Sequence, residues 1–338
     1  MNFYQELQLN QAGSKALLRN CKTKQEKVKH FLIYLFKVLL TVAFCVVFVT
    51  VYTKAFGDEN SIVGVVVLLS LLVFRSADLG ISWSHGFFVL LGLFAVLAFG
   101  PRLSNMAGPF GAFVINVVCI LILMVFGCHN VIMSNHSTLV LAYLLLQGYD
   151  VSGTLYKKRL IGLSIGAIVI AVVFVYKHRK IKYVKKFRDI LKEFDIHSTR
   201  TKWQLKLTFG VSTTLLLAQL FHLQRGMWAG IAAMSIMLPF RKDLLVRVKY
   251  RTIGSVLGTC LFFLIYTLFP ESWYGYIGMI GGVCVGFSET YLWQTVFNSL
   301  GALVIAAGMF GLPTALFLRV ANNIFGALYG CLFDKCFK

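Results

Sequence analysis

The sequence predicts an all-α fold, a polytopic bundle of membrane-spanning helices. Of its 338 residues, 58% are hydrophobic and 14% are charged, whereas soluble domains carry roughly 25% charged residues. With a mean hydropathy of +0.76, the chain has more apolar surface than a water-soluble core could bury. Because the apolar runs are long and uninterrupted, helices, which need about 20 residues to cross the hydrocarbon, are favoured over a closed barrel.

The amino-terminal segment, residues 1–30, is polar and basic. A secretory signal would place an apolar stretch close to the start of the chain, but the first long apolar run begins at residue 31. We therefore expect this segment to be an uncleaved tail on the cytoplasmic side.

Residues 31–176 are predicted to form a first transmembrane repeat of six spans. The apolar stretch 108–148 is too long for one crossing, and the polar patch Cys128, His129 and Asn130 divides it in two. The spans of this half are predicted at 31–52, 61–74, 81–100, the two parts of 108–148, and 160–176.

Residues 177–203 are predicted to be a basic linker, and such segments favour the cytoplasmic side. The densest basic run of the chain lies here: Lys177, His178, Arg179, Lys180, Lys182, Lys185, Lys186 and Arg188. Apolar residues also recur every three or four positions from Ile181 to Phe194, which indicates an amphipathic helix on anionic lipid headgroups. A plain connection between two halves is the alternative, and the two interpretations are compatible.

Residues 204–334 are predicted to form a second repeat of six spans. These spans are expected at 205–221, 228–239, 253–268, 274–287, 291–310 and 316–333. A basic turn that contains Arg241 and Lys242 follows the second of them. With about twelve spans in all, the linker and both termini return to the cytoplasm and the two halves share one orientation.

The end of each half supports an internal repeat. Placing Arg159 on Arg319 also places Gly166 on Gly326, and sets the polar break near His129 against Glu289. The even span count puts both arginines on the outer side, against the charge bias of membrane proteins. Either the short spans near His129 and Glu289 cross only half of the membrane, or these arginines face inward for function.

Composition and motifs argue against several other classes of protein. The formal net charge of +20 could attract nucleic acid, but the positive-inside bias and anionic lipids explain it more simply in a membrane protein. The eight cysteines form no Cys-x-x-Cys pair, His129 and His136 lack a third ligand, and no Gly-Lys-Ser/Thr loop occurs. We predict no cofactor, no metal site, no nucleic-acid partner and no enzymatic activity.

An Arg-x-x-Gly-x-x-x-Gly motif begins several of the predicted spans. Its three copies, the last with Asn for the first Gly, are Arg159-Gly162-Gly166, Arg251-Gly254-Gly258 and Arg319-Asn322-Gly326. On a helix these positions share one face, where the small residues allow another helix to approach closely. The motif therefore predicts an arginine at the mouth of a closely packed helix pair.

The stretch 227–258, with Trp228-Ala-Gly, a short apolar span, a basic turn and the second motif, resembles the fusaric acid resistance protein family, also called aromatic acid exporters. The third motif is similar to that family's last-span motif. The resemblance is strongest over 202–330 and implies a bacterial inner-membrane protein of two six-span halves that exports small organic acids. Two departures leave its energy source and accessory partners open: the linker replaces a large cytoplasmic domain, and the third span of the first half lacks the motif.

Polar side chains inside the spans are the candidate substrate-binding residues, because ionisable groups are costly within a membrane. They are Arg159, Arg251, Arg319, Lys206 and Asn322. Arginine suits bidentate capture of a carboxylate, so the expected substrate is a small organic anion. Snorkelling to lipid headgroups is the alternative for each basic residue. Trp293, near Glu289, is expected to stack on an aromatic substrate, whereas Trp228 and Trp273 fit an interfacial belt.

Proton coupling requires a titratable side chain on the transport path. Glu289 is the preferred candidate, because it interrupts an apolar run near the middle of the bundle. The leading prediction is a secondary, proton-coupled exporter of small aromatic or hydrophobic organic acids. An organic-anion channel that uses the same cations without coupling, and a membrane subunit of an export assembly with a periplasmic accessory protein, are the alternatives.

Gly278, Gly282 and Gly286 recur at every fourth position, which predicts a flat ridge for close helix packing. The ridge packs either inside the bundle or between protomers of a homo-oligomer, and the sequence leaves both open.

Overall fold

Helices make up all the regular secondary structure in the described part of the chain. The computed structural model describes residues 2–9, 11–181, 183–239 and 244–337. Lys182 of the linker, and Arg241 and Lys242 of the predicted basic turn, lie outside these residues. No strand occurs within them, which confirms the all-α prediction.

Each apolar segment predicted as a span contains a helix. In chain order the α-helices of the described residues are α1 (Phe3–Gln8), α2 (Gln11–Arg19), α3 (Lys24–Phe56), α4 (Ser61–Phe74), α5 (Trp83–Met106), α6 (Pro109–Gly127), α7 (His136–Gly148), α8 (Gly153–His178), α9 (Phe187–Lys192), α10 (Thr199–Leu220), α11 (Met227–Ile236), α12 (Leu244–Leu268), α13 (Tyr274–Phe287), α14 (Tyr291–Phe310) and α15 (Leu312–Cys336). The amino-terminal tail and the linker also contain helix, namely α1, α2 and α9.

Seven helices of the described residues are long and apolar enough to cross a membrane: α3, α5, α6, α8, α12, α14 and α15. The count of about twelve spans is therefore not confirmed. Helices α4, α7 and α13 have 13 or 14 residues and α11 has 10. At a rise of about 1.5 Å per residue, α11 is about 15 Å long, half the thickness of the hydrocarbon. Helix α10 has 22 residues, but polar side chains occur along its whole length.

The chain forms two compact units. Unit 1 comprises Met1–Val47 and Gly254–Leu316, and unit 2 comprises Phe48–Ile253 and Phe317–Lys338. Each unit takes helices from both halves of the sequence. The division into repeats at 31–176 and 204–334 stays a prediction.

In unit 1, the amino-terminal segment packs against the end of α13. Nε2 of Gln11 donates to the carbonyl oxygens of Gly286 (2.7 Å) and Ser288 (3.0 Å), and the Tyr34 hydroxyl donates to Gly286 O (2.6 Å). The last carbonyls of a helix have no partner within it, so these side chains satisfy the end of α13. Thus part of the predicted tail is an ordered element of this unit.

Helix α12 meets α14 closely at the glycines of the second motif, which also lie in unit 1. A Cβ atom on Gly254 would lie 2.8 Å from Thr295 Cβ, and one on Gly258 would lie 2.5 Å from the Val296 carbonyl oxygen. Gly278 of the predicted ridge faces the backbone of Gly301, whereas nothing lies within 4 Å of Gly282.

In unit 2, the last predicted span of each half packs against the second one. A Cβ atom on Gly166 of α8 would overlap Val67 of α4, and one on Gly326 of α15 would overlap the Ala229 carbonyl group of α11. Gly162 is also close to α4, with a hypothetical Cβ 3.3 Å from Val63. The same local arrangement therefore accompanies the first and third copies of the motif.

The linker folds differently from the long amphipathic helix predicted for 181–194. Of the residues described in this segment, Phe187–Lys192 alone are helical, and the side chain of Val184 is fully accessible at 93% exposure. The segment is held to unit 2 by stacking of Phe187 on Phe126 (4.9 Å between ring centroids) and by a hydrogen bond from Ser82 N to Lys185 O (2.9 Å). These contacts compete with a continuous helix.

Candidate functional site

Arg319 of the third motif lies inside unit 2, against the beginning of α11. Its guanidinium group is 5.1 Å from the centroid of the Trp228 ring, and both side chains are buried. A buried cation over an indole face is a favourable arrangement, worth about 2 kcal/mol when desolvated. The prediction that Trp228 belongs to an interfacial belt is wrong, because Arg319 and the protein interior cover it.

Asn322, one helical turn further along α15, ties this helix to the turn before α11. Its Nδ2 donates to Gln224 O and to Leu318 O, both at 2.9 Å. Its Oδ1 is buried and has no hydrogen-bond partner among the described residues. Buried polar atoms are nearly always satisfied by protein, water or ligand, so this oxygen can accept a hydrogen bond from a bound molecule.

Arg251 of the second motif adds another buried arginine to this part of unit 2. Its Nε donates to Asn323 Oδ1 (3.0 Å), and Asn323 Nδ2 donates to Arg319 O (2.8 Å). The described residues give Arg251 this one side-chain hydrogen bond, which leaves Nη1 and Nη2 available for a ligand. Arg251 and Arg319 also repel each other electrostatically, and an anion between them would relieve that repulsion.

The side-chain nitrogens of Arg159, the arginine of the first motif, donate hydrogen bonds to other groups of the protein. Nε donates to Asn60 Oδ1 (3.1 Å), Nη1 to Leu146 O (3.3 Å) and Nη2 to Tyr149 O (2.6 Å). A cation at the carboxyl end of a helix satisfies its last carbonyls and interacts favourably with its dipole. Arg159 therefore caps α7, and the expectation that it captures substrate directly is not favoured by this geometry.

Arg225, which the sequence did not single out, lies in the connection between α10 and α11. Nη1 donates to Gly148 O (3.0 Å), and the guanidinium group is 4.6 Å from the Tyr149 ring centroid. Burial lowers the pKa of Arg225, and the nearby Tyr149 opposes that shift. Its φ of 59° is rare for a side chain larger than Asn. In the sequence, Arg225 could have been recognised as a basic residue three positions before Trp228.

These side chains form one group, which we call the arginine cluster: Arg102, Arg159, Arg225, Arg251 and Arg319. Asp150 forms an ion pair with Arg102 (2.5 Å) and offsets part of the positive charge. The cluster lies where α5 and α7 end and where α8 and α11 begin. A buried cationic group with one such carboxylate attracts anions.

Lys206 is buried on α10 and forms an ion pair with Asp334 of α15. The exposed fractions of the two side chains are 6% and 3%. Lys206 was expected as a direct anchor for the substrate, but its charge is already neutralised by this carboxylate. Asp334 was not among the residues predicted from the sequence. It could have been recognised as an acidic residue inside the last apolar run.

Glu289 and Trp293 belong to unit 1, whereas the arginine cluster belongs to unit 2. Glu289 lies in the short connection between α13 and α14, is 56% exposed and forms an ion pair with Arg19. This position differs from the one expected for it inside an apolar run. Trp293 is 49% exposed and stacks on Phe297 (5.8 Å) in the first turns of α14.

A second charged network holds the linker to unit 2, at the end where α8 finishes. Glu193 accepts from Lys185 (2.6 Å) and from Arg200 (3.3 Å), and lies 3.3 Å from His129. The hydrogen bond from Lys185 lowers the pKa of Glu193, and burial followed by the Arg200 charge lowers the pKa of His129. His129 therefore serves as a docking contact, and no metal-binding group of three or more His, Cys, Asp or Glu occurs in the described ranges.

The apolar helices, seven of them long enough to span a bilayer, define a multi-pass α-helical membrane protein. Residues 213–333 match the family model described as fusaric acid resistance protein-like, which confirms the resemblance predicted for this region. The match contains Trp228, Arg251, Arg319 and the last two copies of the motif. Comparisons with curated proteins and with solved structures give no match. The family match and the apolar helices together indicate a membrane protein of the transporter or efflux type.

Proposed function

We propose that the protein is a secondary transporter that exports small organic acids, aromatic or otherwise hydrophobic, across a bacterial plasma membrane. Both termini and the linker lie on the cytoplasmic side in this proposal. Arg251 is the observation that carries it: a buried guanidinium group with both terminal nitrogens available, beside the second buried cation, Arg319.

The chemistry of the arginines favours a carboxylate over other anions. Nη1 and Nη2 of one guanidinium group match the two oxygens of a carboxylate, and each charge-assisted hydrogen bond is about twice as strong as a neutral one. Arg319 adds charge but keeps its place over Trp228. The helices that carry these two arginines, α12 and α15, are apolar, which favours an acid with an apolar body. Fusaric acid, the compound in the family's name, is a carboxylic acid on an aromatic ring.

The site residues then divide by role. Arg251 and Arg319 hold the carboxylate in this proposal, and Asn322, whose available Oδ1 can only accept, contacts a hydrogen-bond donor of the substrate or a bridging water. Arg159 and Arg225 fix the turn at Gly148 and Tyr149. Lys206 stays paired with Asp334. Trp293 belongs to unit 1 and is given no role in this proposal.

The test is transport of labelled benzoate and labelled fusaric acid by the purified protein in proteoliposomes. Arg251→Ala removes a bidentate charged contact worth about 1.5–3 kcal/mol, so the half-saturation concentration should rise about tenfold or more. Lys249→Ala, an exposed basic residue on the same helix, is the matched control and should transport like wild type. Normal transport by an inserted Arg251→Ala protein would contradict the proposed site.

The same preparation separates the alternatives. Unitary currents carried by benzoate in a planar bilayer would identify an organic-anion channel instead of a carrier. Transport that appears only after a periplasmic accessory protein is added would identify a subunit of an export assembly.

A further inference from the structure

Helices α10 and α15 of unit 2 are joined by a line of polar contacts. Near the arginine cluster, Asn322 donates to Gln224 O (2.9 Å) just beyond the end of α10. Further along, the Tyr329 hydroxyl donates to Thr213 Oγ1 (2.9 Å). The line ends with the Lys206–Asp334 ion pair. The two helices run antiparallel, so these contacts connect the arginine cluster to the end of the unit that carries the linker.

Asp334 differs from the other acidic residues that the structure describes. Among these, Glu26 and Asp334 alone fall within the helices that could span a membrane, and Glu26 is exposed in the first turn of α3. Asp334 is 2% exposed. Desolvating an ion pair costs several kcal/mol per ion, so a buried pair is weak evidence for stability. Ionisable groups within membrane helices are more often functional.

Apart from Asp334 itself, the charged side chains of α7, α10, α11, α12 and α15 are all basic. Arg247 of α12 donates to Ser235 O of α11 (2.9 Å), His136 of α7 packs edge-on against Trp203 of α10 (5.0 Å), and Tyr329 is bound to Thr213. Lys335 follows Asp334 along the chain. Protonation of Asp334 would therefore remove the carboxylate that Lys206 neutralises.

We propose that Asp334, paired with Lys206, is the proton-binding site that drives export, a role that rests on the proposed transport function. In the resting state the carboxylate of Asp334 accepts from the Lys206 ammonium. A proton entering from outside binds a carboxylate oxygen and gives a neutral acid, while Lys206 keeps its own protons and loses its counter-ion. The contact between α10 and α15 loosens, the substrate leaves outward, and the ion pair forms again when Asp334 releases its proton to the cytoplasm.

The experiment compares two modes of transport of labelled benzoate, added outside proteoliposomes. Asp334→Asn should abolish accumulation driven by an imposed pH gradient, by at least tenfold, yet keep exchange of labelled for unlabelled benzoate at equal pH. Glu289→Gln is the matched control and should keep both modes. Gradient-driven accumulation by Asp334→Asn would overturn the proposal. If the wild-type protein exchanges benzoate but the pH gradient does not drive its accumulation, the proton-binding site is wrong and the proposed transport function is kept. If the wild-type protein transports neither benzoate nor fusaric acid, the proposed function itself is wrong.

Asp334→Asn leaves Lys206 buried without its carboxylate, which is destabilising by about 3–5 kcal/mol. A double variant, Lys206→Met with Asp334→Asn, removes both charges and keeps the test independent of that cost. Infrared difference spectra between low and high pH add a readout that needs no substrate. Wild type and Glu289→Gln should show the carbonyl bands of protonated buried acids, and the double variant should lose the component that comes from Asp334. Glu6 and Asp78 are also buried, so bands that the double substitution leaves unchanged would overturn the assignment.

Discussion

At the scale of single residues, the three arginines of the repeated motif have different surroundings. Arg159 is fixed by three protein acceptors, and Arg319 lies over an indole ring. Arg251 has two terminal nitrogens without an acceptor among the described residues. The three arginines look equivalent in the sequence, because the motif spacing gives only their position on a helix. It does not show which groups of neighbouring helices face each arginine. Acceptors such as Leu146 O come from backbone carbonyls, which no side-chain pattern reveals.

Replacing Arg159 should therefore reduce stability and spare substrate affinity. Arg159→Met leaves buried carbonyls at the end of α7 without their donor, at about 1–3 kcal/mol for each unsatisfied group. We expect a lower melting temperature in detergent and an unchanged half-saturation concentration for benzoate. Lys158→Ala, the exposed neighbour, is the control. A large loss of affinity at normal stability would return Arg159 to the substrate site.

At the scale of helices, the small residues of the motif determine which pairs approach closely. Gly326 lies against the backbone of Ala229, and Gly330 lies near Ala233, with a hypothetical Cβ 3.0 Å from its Cα. Backbone atoms cannot rotate away as a flexible side chain can. The close approach of α15 to α11 is therefore a rigid requirement, and it places Arg319 over Trp228.

Gly326→Ala should destabilise the protein by about 1–3 kcal/mol, because the added methyl group overlaps a carbonyl group of α11. Gly282→Ala is the control, since nothing lies within 4 Å of that position and alanine favours helix over glycine. Thermal denaturation in detergent measures both. Equal melting temperatures for the two variants would show that α11 and α15 separate without cost.

The linker network should depend on pH through Glu193. The folded-state pKa of this carboxylate is lowered, so its contribution is present above the unfolded pKa of about 4.3 and is lost as the pH falls through the folded value. Because Glu193 is 35% exposed, that contribution is at most about 1 kcal/mol. Glu193→Gln should melt below wild type at pH 7 and converge with it near pH 4, while the exposed control Glu59→Gln matches wild type throughout.

At the scale of the whole molecule, the sequence predicted the helical class and the place of each apolar helix. The limits of α4, α13 and α14 agree with the segments predicted at 61–74, 274–287 and 291–310. The number of membrane crossings could not be predicted from the sequence, because α7 and α11 are short and α10 is polar. The role of Asp334 was not predicted, because its partner, Lys206, is 128 positions earlier in the chain.

The orientation of the molecule can be tested on α8, whose 26 residues span about 39 Å. In a variant without the native cysteines, Lys158→Cys should react with an impermeant maleimide added outside intact cells, whereas Lys180→Cys should react only after permeabilisation. Both sites are exposed. Labelling of the two from one side would show that α8 does not cross and would reverse the assignment of the linker.

The polar helix α10 also bears on how the chain enters the membrane. Thr201, Gln204, Thr208 and Ser212 are buried along it together with Lys206, and polar side chains near a helix centre disfavour insertion of an isolated segment. Gln204 donates to Met124 O of α6 (2.9 Å), an acceptor that is synthesised earlier. Biogenesis should therefore require the first half of the chain, and α10 expressed alone behind the translocon should fail to integrate.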